Sequence, residues 1–64
     1  MKDVNQPFIE LVQDKGKMYV ANKLGHKSTE TTSKWCRDIK AGGSVPDGKY
    51  KAVYELLVKE EYLK

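Results

Sequence analysis

Glycine and proline cut this 64-residue chain into short pieces, with breaks at Gly16, Gly25, the Gly42-Gly43 pair and Pro46. Between the breaks, apolar residues recur at spacings of three and four, the period of a helix that buries one face. No stretch alternates apolar and polar residues for long enough to line one face of a sheet. The pattern predicts an all-α fold, a small compact bundle of four or five short helices forming one domain over residues 1–64. A chain of this size buries only about 60% of the surface its unfolded form exposes. The core must therefore rest on few apolar side chains, and little room remains for a deep substrate pocket.

The segment "NQPFIELVQDKG" puts Phe8, Leu11 and Val12 on one stripe beside Ile9, with Asn5 as expected N-cap, Pro7 in the first turn and Gly16 as the stop. In "KMYVANKLG", Val20, Ala21 and Leu24 share a face, and Gly25 closes the helix. In "STETTSKWCRDIKAGG", Thr32, Trp35, Cys36 and Ile39 form an inward stripe, and Trp35 and Cys36 are expected in the core. Thr29, Glu30, Ser33, Lys34, Arg37 and Lys40 then face outward. Ser28 or Thr29 is the expected cap, and Glu30 sits in the first turn, at the positive end of the helix dipole. In "VPDGKYKAVYELLVKEEYLK", Asp47 is the expected cap, and Tyr50, Val53, Tyr54 and Leu57 line one face. Leu56, Tyr62 and Leu63 exceed what one small core needs. Either they fold back on the first helix or they form a homodimer contact through the C-terminal helix.

Twelve Lys and Arg stand against nine Asp and Glu, a net charge of +3. That excess accords with a nucleic-acid partner without establishing one. A single cysteine excludes an intramolecular disulfide, and the N-terminus carries no apolar run like that of a signal peptide, so a reducing, cytoplasmic location is expected. No run approaches the roughly 20 apolar residues of a membrane span. One Cys and one His cannot supply the four protein ligands of a structural zinc site. Neither a metal, a cofactor nor a small-molecule ligand is expected.

Residues 24–35, "LGHKSTETTSKW", resemble the box around the late catalytic histidine of tyrosine recombinases. Leu24, Gly25 and His26 match, as do the paired threonines Thr31 and Thr32. The position of the nucleophilic tyrosine, however, holds Trp35, whose indole has no oxygen with which to attack phosphorus. That family also needs two arginines, and Arg37 is the only one here. The expectation is that the chain is not an enzyme, and that His26 is an exposed turn residue.

A broader resemblance is to the helix-turn-helix proteins of the Cro and phage-repressor class. It rests on Val20-Ala21, Leu24-Gly25, Thr31 to Trp35, Gly43, Val45-Pro46 and the trailing "KAVYELL", spanning roughly residues 8 to 58. The chain departs from the pattern in three places. The distance from Ala21 to Trp35 is one residue longer, Thr32 stands where Val or Ile is commoner, and the link from Asp38 to Ser44 is extended.

The resemblance implies sequence-specific binding of double-stranded DNA, as by a small phage or prophage repressor, with the helix around residues 28–40 in the major groove. Thr29, Glu30, Ser33, Lys34 and Arg37 would then meet base edges. Lys27, Ser28, Lys40, Lys49 and Lys51 would meet phosphates. Two other readings stay open on sequence alone: a helical module that binds a protein such as a host enzyme, and an excisionase-like protein that bends DNA.

Overall fold

The computed structural model describes residues 3–63 and is all-α. Four helices follow in order: α1 (Asn5–Lys15), α2 (Lys17–Lys23), α3 (Glu30–Lys40) and α4 (Tyr50–Lys59). A short 3-10 turn, Asp47–Lys49, leads into α4 and is the fifth helical element that the sequence left open. No strand occurs among the described residues, and no helix there is long and apolar enough to cross a membrane.

The helix ends explain how so short a chain reverses direction so often. Gly16 alone joins α1 to α2, at φ 93 and ψ 158, a region essentially reserved for glycine. The α2 terminus is a Schellman cap: Gly25 N–H donates to the Asn22 carbonyl at 3.1 Å and His26 N–H to the Ala21 carbonyl at 2.8 Å. Gly25 supplies the left-handed φ of 81° that this cap requires. The same pair of bonds closes α3, from Gly42 N–H to Ile39 and from Gly43 N–H to Asp38. They also close α4, from Glu61 N–H to Val58 and from Tyr62 N–H to Leu57.

The N-terminal expectations need correction. Val4, not Asn5, is the cap of α1; the Asn5 side chain instead accepts a hydrogen bond from Val45 N–H at 3.3 Å, tying the α3–α4 link to the start of α1. Asp47 opens the 3-10 turn rather than capping α4. α3 begins at Glu30, two residues later than the 28–40 reading. Thr29 is its N-cap by position but makes no side-chain capping bond, while Ser28 Oγ accepts from Glu30 N–H at a long 3.4 Å.

One core joins all four helices. Phe8, Leu11, Val20, Val53 and Leu57 are wholly buried, and Ile9, Trp35, Cys36 and Leu56 nearly so. Val4 and Val45, which lie outside the helices, close the core where the chain enters α1 and leaves the α3–α4 link. Ala21 is fully buried on α2, which packs on both α1 and α3, so a larger side chain there would overpack the interior. At about 25 cal/mol per Å² of apolar surface, each fully buried Leu or Phe contributes about 1.5–3 kcal/mol against the entropy of folding.

Candidate nucleic-acid interface

The inward stripe of α3 is fixed from behind. Trp35 is 5% exposed and packs on Phe8, with ring centroids 5.9 Å apart at a tilt of 54°. The imidazole of His26 meets the same indole edge-on, at 5.5 Å and 81°. His26 is thus half-buried rather than an exposed turn residue, and its Nδ1 is enclosed without a hydrogen-bond partner. Thr32, the next inward position, is fully buried, and its hydroxyl likewise has no partner. Ile39 completes the stripe, half-buried against the core.

The outward side of α3 forms one wall of an open cleft of about 840 Å³. That wall carries Thr29, Glu30, Ser33, Lys34, Arg37 and Lys40, which include all five residues expected at base edges. The facing wall comes from the second half of α1 and the α1–α2 junction, through Gln13, Gly16 and Lys17. Ile9 and Cys36, nearly buried, and Val12, half-buried, complete the lining as an apolar floor. Burial pushes the Cys36 thiol up, and the nearby ammonium groups of Lys40 and Lys17 offset only part of that rise.

Cations predominate in the cleft. Lys17, Lys34, Arg37 and Lys40 line the cleft against one carboxylate, Glu30. Acidic side chains collect instead where α1 meets the end of α4. There Tyr62 donates to Asp14 Oδ2 at 2.5 Å, and Tyr19 donates to the Glu60 carboxylate at 2.9 and 3.1 Å. The Asp14 bond, then burial, then the nearby negative charges of Asp14, Glu60 and Glu10 push Tyr62 up to about 12. Lys15 and Lys23 stand over the Tyr19 ring there, 5.9 and 5.4 Å from its centroid, so that corner carries both signs, whereas cations predominate along the cleft.

The residues expected at phosphates divide into two groups. Lys27 and Ser28 are exposed in the turn before α3, and Lys40 lines the cleft. Lys49 and Lys51 are also exposed but sit where the 3-10 turn runs into α4. That end of α4 lies beside the N-terminus of α1, since Tyr50 and Asp47 share a small hollow with Val4 and Asn5. The cleft lies along the other half of α1, so these two lysines are not brought together with the outward residues of α3.

Sequence reasoning missed Gln13 and Lys17. Their signal was faint: Gly16 alone between two helices forces α2 to double back, which brings the first residue of α2 toward whatever packs on α1. Of the C-terminal residues, Leu56 is buried, Tyr62 bonds to α1, and Leu63 is half-buried against the core. No family model matches the chain, and neither a curated protein nor a solved structure does.

Proposed function

We propose that this chain binds double-stranded DNA sequence-specifically and acts as a small transcriptional regulator of the Cro-repressor kind, with α3 in the major groove. One observation carries the reading: Ser33, Lys34, Arg37 and Lys40 share the outward face of α3 with Thr29 and Glu30, while Trp35 locks the opposite face into the core. A recognition helix needs that combination of a rigid back and a polar, cationic front.

The roles follow from side-chain chemistry. Arg37 can give two parallel hydrogen bonds to guanine O6 and N7 or clamp a phosphate, and Glu30 can accept from a cytosine amino group. Thr29 and Ser33 add short-range donors and acceptors to base edges, with Lys34 beside them. Lys17, Lys27, Ser28 and Lys40 surround this face and would hold phosphates, setting orientation and not sequence. Lys49 and Lys51 would reach DNA only if the duplex also ran past the start of α4. The reading includes no catalytic step and no cofactor.

The test is selection from random duplexes, followed by fluorescence anisotropy on the selected site across a range of salt. A logarithmic salt slope of about −3 to −4 is expected, becoming shallower by about one in Lys40→Gln. Arg37→Gln is expected to relax the preference at one base position, at about 1–3 kcal/mol. Recovery of no preferred site, with a salt slope near zero, would turn the search to protein partners.

A further inference from the structure

The cleft has a property that groove reading does not use. DNA presents phosphates and base edges whose one apolar group is the small thymine methyl, yet the floor between α1 and α3 is a continuous apolar surface, formed by Ile9, Val12 and Cys36. A phosphate gains nothing there. The volume of about 840 Å³ lies within the roughly 300–1,000 Å³ typical of small-ligand sites, which combine an apolar lining with a few placed polar groups. The rim supplies those groups, as cations on both walls: Lys17 from α2, and Arg37 and Lys40 from α3.

We propose that this cleft is a regulatory site for a small amphiphilic anion, a molecule joining a ring or short hydrocarbon body to one carboxylate or sulfonate. The body lies on Ile9, Val12 and Cys36, and the acid group meets the cations of the rim. Charge complementarity selects the anion, and the floor selects the hydrocarbon; inorganic phosphate satisfies only the first and an uncharged arene only the second. Because Arg37 and Lys40 would serve both ligands, occupancy by the anion excludes DNA. This exclusion rests on the DNA-binding reading, whereas binding of the anion does not.

The probe is 8-anilinonaphthalene-1-sulfonate, titrated into the nitrogen-15-labelled folded chain and followed by amide shifts. N-phenyl-1-naphthylamine, its uncharged counterpart, is the control. Saturable shifts are expected on residues 9–17 and 29–40, with binding about tenfold weaker for the uncharged compound and for Arg37→Gln. Val12→Thr, which makes the floor polar at nearly constant volume, is expected to weaken the sulfonate severalfold while leaving duplex binding unchanged. Duplex DNA should be displaced as the sulfonate is added.

Shifts spread over the whole chain, no shifts at millimolar probe, or equal affinity for the charged and uncharged compounds would each overturn the proposal. If the sulfonate fails while a duplex still binds, the ligand site is wrong and the DNA reading stands. If the sulfonate binds at the cleft and no duplex binds at low salt, the ligand site stands and the DNA reading falls, along with the exclusion built on it.

Discussion

Tyr62 donates its phenolic proton to Asp14 across 48 positions of sequence, at 2.5 Å, and so fastens the end of α4 to α1. Its ring packs on the core while the bond itself stays exposed. The bond requires neutral tyrosine beside a carboxylate, which is why Tyr62 is pushed up from 10.0 to about 12. A folded value above the unfolded one means that this contribution is fully present below about pH 10 and is lost as pH rises toward 12. Urea denaturation across pH 8 to 12 should show stability falling over that window. Tyr62→Phe should be less stable than the parent at pH 8 and fall less steeply above pH 10, the remaining slope including Tyr19, which Glu60 also raises. An identical slope in the variant would show that the bond does not persist in solution.

Thr32 is fully buried and its hydroxyl has no partner, so it carries a desolvation cost that nothing offsets. Thr32→Val removes that hydroxyl at nearly constant volume. The expected result is a gain of about 1–2 kcal/mol, seen as a higher urea midpoint at an unchanged slope. A loss of stability would mean that the hydroxyl finds a partner in water.

Glu61 occupies the same position in its helix cap that Gly25 occupies in α2, with φ 68 against 81. The left-handed conformation costs an ordinary residue roughly 1–2 kcal/mol, and glycine nothing in sterics. Glu61→Gly should therefore stabilise the fold by about 1 kcal/mol, part of the relief being offset by the greater freedom of glycine when unfolded. In a domain this small, that is a rise in Tm of about 4–8 °C by calorimetry. Gly25→Ala should lower Tm by a comparable amount.

Glu30 is the one carboxylate lining a cleft of four cations. In the DNA reading it repels every phosphate and is repaid only where a cytosine amino group faces it. Glu30→Gln should raise affinity for arbitrary duplex severalfold at low salt and reduce the advantage of the selected site. Anisotropy with both duplexes measures the two effects together. Unchanged non-specific affinity would place Glu30 outside the contact.

The helices were legible because their punctuation is local. Gly16, Gly25 and Gly42 mark ends that the structure keeps, and the inward stripe Thr32, Trp35, Cys36 and Ile39 is buried or half-buried as its spacing predicts. Caps were less legible, since a short polar residue before a helix has other uses: Asn5 turns to Val45, and Ser28 holds Glu30 only weakly. What lay beyond the sequence was long-range. No period links Tyr62 to Asp14 or Tyr19 to Glu60, and none reveals that α1 supplies the second wall of the cleft. The half-burial of His26 comes with its ring contact to Trp35, which only the folded turn brings near.

The most direct test of the central claim is to titrate the nitrogen-15-labelled chain with an arbitrary 16-base-pair duplex at low salt, then raise the salt. Non-specific binding by such domains has Kd typically around 10⁻⁴ to 10⁻⁶ M, so the operator need not be known. Amide shifts concentrated on residues 27–40 and at Lys17, collapsing as salt is added, are the predicted result. Shifts centred instead around Asp14 and Tyr62, or none at all at low salt, would contradict the assignment of α3 as the helix that reads DNA.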